Sequence, residues 1–468
     1  MRISYGTARL HGMPQRLMEL WTYCDRWICR HDRAIYWTFG ILYKLSLDAM
    51  YIWAASPAFS YGGLIYAPNG LKYLLSNILY LLVLAYLPRQ EKNIAAFLLH
   101  LQFVFTLAPM MTIYGLVDRS TAYMLFVFVC AILQIYLLKR PVSPHSKIYI
   151  RGIQNYVTVA FGILVAFCLI TPILYNGILD IPALISGFQE QGIDYVYHIR
   201  DTMEFPPGFD LVFNWMAKVV LPFGLVMFLE RKQYLLAVFC LLAQFCFFLE
   251  TGHKLLLFMP FPILFIYFFA KLGHLIKMMY AGMTVLSLVT VLTYQMDVLT
   301  NHSIGNLLCG MVAVRALLGP ANNKFLFYNC FSEYPKLYFG DGQIGSMFGL
   351  TYPYAGGSGQ VIYAYDGGEF LGSNSCTGYW GDAYAQMGFL GILLMALLFA
   401  MVLRGIQQYD RKEVFPILAG MFSIQLIMLN DNALLTTLFT NGMLLAFLLV
   451  LIYLSKSSKG ADNGIQRL

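Results

Sequence analysis

Apolar stretches alternate with short basic connectors along almost the whole chain. Residues 122–138, 383–403 and 432–454 contain no Asp, Glu, Lys or Arg. An α-helix needs about 20 such residues to cross a hydrocarbon core of roughly 30 Å. Amides in lipid must be hydrogen-bonded within their own segment, so these stretches are expected to be helices. The pattern predicts an all-α, polytopic membrane protein with about twelve spans, near 35–55, 71–88, 93–115, 121–138, 154–176, 211–229, 234–250, 255–272, 276–298, 382–403, 413–430 and 432–454. Residues 1–33 read as a cytoplasmic lead, 34–454 as a single transmembrane domain and 455–468 as a cytoplasmic tail. Two long loops are expected, at about 177–210 and 299–381, the larger one in the C-terminal half.

Basic residues set the expected orientation. With the N-terminus inside, 22 of the 31 Lys and Arg fall on inside segments, including the six Arg of the lead. Eight fall on outside segments or their flanks, namely Lys72, Arg119, Arg200, Lys218, Lys254, Arg315, Lys324 and Lys336, while Lys44 lies within a span. Positive charge concentrates on the cytoplasmic side, so both termini are expected there. Charged residues make up 12% of the chain and hydrophobic ones 59%, against about 25% charged in a soluble domain. The net charge of +7 is ordinary for this bias and implies no nucleic-acid partner.

The chemistry that is missing narrows the function. There is no phosphate-binding Gly-rich loop ending in Lys-Ser/Thr, no His-Glu-x-x-His helix and no Asp-x-Asp pair. Neither cofactor nor metal is expected. Cys130, Cys168, Cys240 and Cys246 read as small apolar packing residues, while Cys309, Cys330 and Cys376 fall outside, where a disulfide is permitted.

Polar residues expected on the outer side carry the remaining signal. His198, Arg200, Asp201 and Glu204 sit in one long loop, and Glu250, His253 and Lys254 in a short connector. The large loop holds His302, Arg315, Asp341, Asp366, Glu369 and Asp382. Guanidinium and ammonium groups there suit a lipid-linked diphosphate, and a carboxylate or His suits removal of a proton from a sugar hydroxyl. Arg315 is the cation inside an apolar stretch, flanked by Val312, Val314, Ala316, Leu317 and Leu318. A cation at membrane depth is costly and marks function, with a structural salt bridge as the competing reading. Lys254 reads equally as a snorkelling residue. Lys44 and Asp48, four apart on one helix, read as a structural pair.

The stretch from Asn374 to Gly391 carries Gly378, Asp382, Tyr384 and Gly388. It resembles a signature of Wzy-type polymerases of bacterial O-antigens and capsules, although its Asn-to-Gly spacing is longer than that family's commonest form. Arg315, followed by Gly319, Pro320, Tyr328 and Phe331, is similar to the family's Arg and aromatic segment at the opening of the large periplasmic loop. Thr251 to Lys254 is similar to its mid-chain basic turn. The resemblance implies a bacterial inner-membrane glycosyltransferase that joins oligosaccharide units carried on undecaprenyl diphosphate at the periplasmic face. A chain-length-regulating membrane protein is a further partner it implies. Arg315 and Asp382 would carry the chemistry, with Lys254, Arg200, His302, Asn374 and Tyr384 at the substrate. Asp382 equally suits a helix cap. The competing readings are an O-antigen ligase, which a paired His302 and Arg315 would favour, a flippase of lipid-linked oligosaccharide, and a scaffold without catalysis.

Overall fold

Prolines decide where the helices of this chain change pitch. Pro lacks an N–H and its ring collides with the carbonyl four residues back. A turn widened to the i→i+5 pattern makes room for it. Wide turns at Tyr51–Ala55, Phe103–Leu107, Met216–Val220 and Gly310–Leu318 each end two residues before Pro57, Pro109, Pro222 or Pro320. Side chains take up two of the carbonyls these prolines leave without a donor. Gln295 Nε2 donates to the Trp53 carbonyl at 2.5 Å, and Gln425 Nε2 to that of Lys218 at 3.0 Å.

The computed structural model describes residues 25–140, 142, 153–176, 204, 206–251, 254–300, 302–340, 342, 345, 347–368, 374–412 and 414–465. Among the described residues there is no β-strand. The main helices are α1 (Asp32–Met50), α2 (Gly70–Tyr86), α3 (Ile94–Leu116), α4 (Thr121–Lys139), α5 (Ile153–Asn176), α6 (Phe209–Glu230) and α7 (Tyr234–Thr251). They continue with α8 (Leu255–Leu272), α9 (Leu275–Thr300), α10 (Ile304–Glu333), α11 (Tyr379–Gln407), α12 (Phe415–Met428) and α13 (Met443–Ile465). Eight helices among the described residues are long and apolar enough to cross a membrane, which makes this a multi-pass membrane protein. Four shorter apolar helices accompany them, at Gly70–Tyr86, Phe161–Tyr175, Tyr234–Leu249 and Phe415–Met428.

Two of these helices depart from the sequence reading. The helix α10 occupies 304–333, which the hydropathy pattern assigned to the large loop, and it is one of the eight membrane-length helices. Asp366 and the other charges further along dilute the hydropathy of that region, whereas 304–333 itself carries only Arg315, Lys324 and Glu333. The span expected at 382–403 instead begins at Tyr379 and is broken at Met387 (φ −144, ψ 22) and Gly388 (φ 64, ψ −145).

The chain divides into two units. The first comprises Met1–Lys92, Leu99–Arg140 and Phe269–Ala400, and the second Asn93–Leu98, Pro141–Phe268 and Met401–Leu468. In the first unit α1 and α9 run parallel, because Lys277 pairs with Asp32 at their starts while Gln295 reaches Trp53 further along. Asn69 caps α2 by accepting from the Leu71 and Lys72 amides at 3.1 and 3.2 Å, and Ser120 caps α4 through the Tyr123 amide at 3.4 Å. The core is tied by tyrosine hydroxyls that donate to helix carbonyls: Tyr36 to Leu84 at 2.8 Å, Tyr43 to Val104 at 2.8 Å and Tyr80 to Gly40 at 2.6 Å. Each bond lets a large ring be buried without stranding its polar end. The expected Lys44–Asp48 pair is present and buried, with Thr112 donating to Asp48 Oδ1 at 2.7 Å and Tyr73 to Oδ2 at 3.0 Å.

Candidate functional site

The stretch from Asn374 to Gly391 folds as a short helix, a break and a second helix, all in the first unit. Before the break, Tyr379 reaches back along α4 to Gln134, whose Nε2 donates to its hydroxyl at 2.6 Å, while Tyr384 packs against Tyr123 near the start of α4 at 5.9 Å. Residues 379–386 thus run antiparallel to α4. After the break, Phe389 meets Phe126 at 4.8 Å and the Ala396 carbonyl accepts from Gln134 at 3.1 Å, so the chain runs parallel to α4. Gln134 lies thirteen residues into α4, about 20 Å along it at 1.5 Å per residue. The short helix therefore begins about 20 Å from the start of α4 and five residues short of its end.

Glycines make the reversal possible. Gly388 takes a left-handed φ of 64°, which L-residues with a Cβ adopt at a cost. At Gly391 a Cβ would stand 2.0 Å from the Ala383 carbonyl oxygen, so only glycine lets the two limbs approach.

Asp382 lies in the first turn of the short helix, where its charge complements the helix dipole. Its amide donates to the Gly378 carbonyl at 3.0 Å, so Gly378 occupies the cap position and Asp382 does not. The Asp382 side chain is nearly buried, and its Oδ1 accepts from Gln386 Nε2 at 3.1 Å. Gln386 in turn accepts from the Phe339 amide through Oε1 at 2.6 Å. The loop before it is stitched to the same helix end by Leu337 N to Ala385 O at 2.9 Å and Tyr338 N to Gln386 O at 3.1 Å. Tyr338 and Phe339 hold left-handed φ values of 46° and 63° there, a strain that surrounding structure must enforce.

Tyr384 is buried in an aromatic group with Tyr328 at 4.8 Å and Phe389 at 5.3 Å. Its hydroxyl shares a 2.8 Å hydrogen bond with Ser332 Oγ, and the Lys336 ammonium stands 4.7 Å over its ring. Lys336 also donates to the Phe331 carbonyl. Burial holds its amine below the usual lysine range.

The helix α10 connects this group to a second one. Asn322 Oδ1 accepts from Arg119 Nη2 at 2.6 Å, and Asn323 Nδ2 donates to the Cys376 carbonyl at 3.3 Å. Lys324 is fully buried, donates to the Pro320 carbonyl at 3.1 Å and lies against Gly381. Burial pulls the Arg119 guanidinium down from its ordinary value and the Asp366 charge pushes it back up. The Asp366 carboxyl is raised by burial and lowered by Arg119. Gly63, with φ 80°, brings its backbone against both Asp366 and Asn322. Lys72 braces the turn by donating to the Arg119 carbonyl at 2.9 Å and pairing with Asp118 at 2.6 Å. Arg119 Nε is buried without a hydrogen-bond partner.

The sequence-predicted residues divide accordingly. Asp382, Tyr384 and the Gly388 break come together in one segment, with Tyr384 against Tyr328 and Ser332 of α10. Asn374 is exposed beside Gly359, whose carbonyl accepts from the Ser375 amide at 3.0 Å. Arg315 is exposed in the wide turn of α10, with no hydrogen bond or ion pair to any described residue. His302 is exposed before α10 and forms no bond to Arg315; about 20 Å of helix rise separates the two, so the pair that would favour a ligase is not formed. Arg200, His198, Asp201, His253, Asp341 and Glu369 lie outside the described residues, as does the side chain of Lys254. Cys309, Cys330 and Cys376 form no disulfide among the described residues. Arg119, Lys324, Lys336 and Gln386 were not singled out in the sequence. Only the Gln four residues after Asp382 offered a signal, since that spacing puts both on one helix face.

No family model, curated protein or solved structure matches the chain.

Proposed function

We propose that the chain polymerises oligosaccharide repeat units carried on undecaprenyl diphosphate, at the periplasmic face of a bacterial inner membrane. What carries this reading is the broken helix at 379–388 with Asp382 and Tyr384 on its short limb. The non-helical chain before Tyr379 enters beside Gln134, far along α4; non-helical backbone at membrane depth is tolerated where it is buried in protein or lines a water-filled cavity, and this is the segment that resembles the polymerase signature. A cytoplasmic N-terminus is part of the same proposal.

In the proposed reaction the terminal hydroxyl of the acceptor glycan attacks the anomeric carbon of the donor sugar. The bond from that carbon to the diphosphate oxygen breaks, and the polyprenyl diphosphate departs with the electron pair. Asp382 accepts the hydroxyl proton, with Gln386 Nε2 holding one carboxylate oxygen in place. Arg315, which forms no ion pair with any described residue, meets the diphosphate. Fixed cations stabilise the charge that develops on the leaving group, and loss of one such donor costs about 2.7–4 kcal/mol of barrier. The energy resides in the sugar–phosphate bond, so no nucleotide is consumed.

The test is surface polymer length in a strain carrying each variant at wild-type abundance. Arg315→Ala is expected to shorten the polymer severely and Asp382→Asn to leave single repeat units on the lipid anchor. Normal long polymer with Arg315→Ala removes the diphosphate assignment, and normal polymer with Asp382→Asn removes the base. A strain lacking the chain that accumulates finished polymer on undecaprenyl diphosphate would point to a ligase instead.

A further inference from the structure

The second unit holds a cation of its own within an apolar helix. Lys218 lies on α6 in the wide turn Met216–Val220. Its Nζ donates to Asn441 Oδ1 at 3.2 Å, and no described carboxylate comes within ion-pair distance. Asn441 is only 3% exposed, and its Nδ2 has no hydrogen-bond partner.

The local backbone is built around this residue. Pro222 has no N–H for the Lys218 carbonyl, and Gln425 Nε2 supplies one at 3.0 Å. Trp215 Nε1 donates to the Phe439 carbonyl at 2.9 Å. The turn between α12 and α13 closes against α6 at Gly442, where φ is 78° and a Cβ would stand 2.8 Å from Val219 Cγ2. The 14 residues of α12 rise about 21 Å, short of a hydrocarbon core of roughly 30 Å. The turn that follows it buries Asn430, Thr437 and Asn441.

A half-buried ammonium facing one neutral acceptor is poorly compensated. The groups left over are donors: the remaining N–H bonds of Lys218 and the free amide N–H of Asn441. Donors with a positive charge fit an anion and do not fit a metal ion. Gln425 Oε1 on α12 is unpartnered as well, an acceptor that a protonated oxygen of free phosphate or a hydroxyl of a lipid headgroup satisfies. We infer that Lys218 and Asn441 form a phosphate-binding site inside the second unit, filled by the phosphate of a lipid headgroup or by free phosphate. This site is independent of the glycosyl-transfer reading and of Asp382.

The experiment uses the full chain, delipidated in neutral detergent or placed in nanodiscs. Inorganic phosphate in detergent and phosphatidylglycerol against phosphatidylcholine in nanodiscs are the probes, and thermal stability and isothermal titration are the readouts. Wild type is expected to gain stability with phosphatidylglycerol. A response to inorganic phosphate as well means the phosphate group alone suffices, and a response to the lipid alone means the headgroup is the occupant. Lys218→Met is expected to abolish the response, Lys218→Arg to keep it, and Asn441→Ala to weaken binding about tenfold, the worth of one hydrogen bond. Asn441→Asp supplies an internal counter-ion. It is expected to stabilise the ligand-free protein and to remove phosphate binding, which separates ligand loss from misfolding. No response of wild type to either probe, or an undiminished response in Lys218→Met, overturns the inference.

Discussion

Two buried lysines of the first unit face carboxylates, whereas the half-buried Lys218 of the second does not. Lys44 faces Asp48 at 2.5 Å, with Thr112 and Tyr73 on the same carboxylate. Lys277 meets Asp32 and, at 3.3 Å, Glu91. In the second unit Lys218 meets only the amide of Asn441, and Asp410 accepts a single backbone N–H from Ile94 at 2.9 Å. A satisfied pair is structural, whereas a charge without a counter-ion stays available to a ligand or a proton. The difference is measurable because the same change of residue type should have opposite consequences in the two places.

The largest effect is expected at the first pair. Asp48→Ala strands Lys44 in the core, which costs about 3–5 kcal/mol. The double variant Lys44→Met/Asp48→Leu should recover most of that loss, since an apolar replacement of similar volume is often neutral. Lys218→Met, measured beside them without phosphate, is expected within about 1 kcal/mol of wild type, because it removes a charge that had no ionic partner. Unfolding by SDS titration in mixed micelles reads all three. If Lys218→Met costs as much as Asp48→Ala, the contrast between the units fails.

Both units also hold irregular backbone in place with a glycine, under different constraints. At Gly391 the obstacle is a backbone oxygen, that of Ala383 at 2.0 Å, which cannot move without opening the break. At Gly442 the obstacles are a left-handed φ of 78°, which costs a residue with a Cβ about 1 kcal/mol, and the side chains of Val219 and Trp215 at 2.8 and 3.0 Å, which can turn aside. Gly391→Ala is therefore expected to cost about 2–3 kcal/mol and Gly442→Ala about 1 kcal/mol. Gly391→Ala should also shorten the polymer, since it displaces the limb that carries Asp382. Equal losses at the two glycines would show that the reversal in the first unit is as compliant as the turn in the second.

The same contrast explains what the sequence disclosed. Hydropathy marked most of the helices because an uncharged run of membrane length has few other outcomes. It also disclosed Lys44 and Asp48, because a carboxylate four residues along a helix is a local relation. The broken helix was hidden because 383–403 is uncharged on both sides of Gly388 and reads as one span, although Gly388 and Gly391 stand in the motif. The wide turns were foreshadowed by Pro57, Pro109, Pro222 and Pro320, whose effect on the preceding carbonyl is again local. Arg119 with Asn322, Lys218 with Asn441 and Ser332 with Tyr384 join residues 203, 223 and 52 apart, and no pattern of spacing announces such pairs. Arg315 kept its distinction as a lone cation, but its exposure and the burial of Lys324 nine residues on followed only from packing.

Asp410 gives the gentlest test of the unpaired half of the comparison, and its sign is fixed by physics. Burial pushes its carboxyl up to about 6, against the bond from the Ile94 amide that draws it down, and its Oδ1 is buried without a partner. In the unfolded chain the group titrates near 3.9. Between about pH 4 and 6 the folded state thus binds more protons than the unfolded one, and stability falls as pH rises through that window. The contribution is fully present below pH 4 and lost above 6. After discounting for the carboxyl's partial contact with water, the change is about 2 kcal/mol. Asp410→Asn keeps an acceptor for Ile94 and supplies a donor in place of the charge. It is expected to flatten the stability profile between pH 4 and 6 and to exceed wild type at pH 7.5. Asp48→Asn in the first unit should do the reverse at pH 7.5, since there the charge it removes is the partner of Lys44. Parallel pH profiles for Asp410→Asn and wild type would mean that the Asp410 carboxylate has found a cation after all, and the second unit would then handle its charges as the first does.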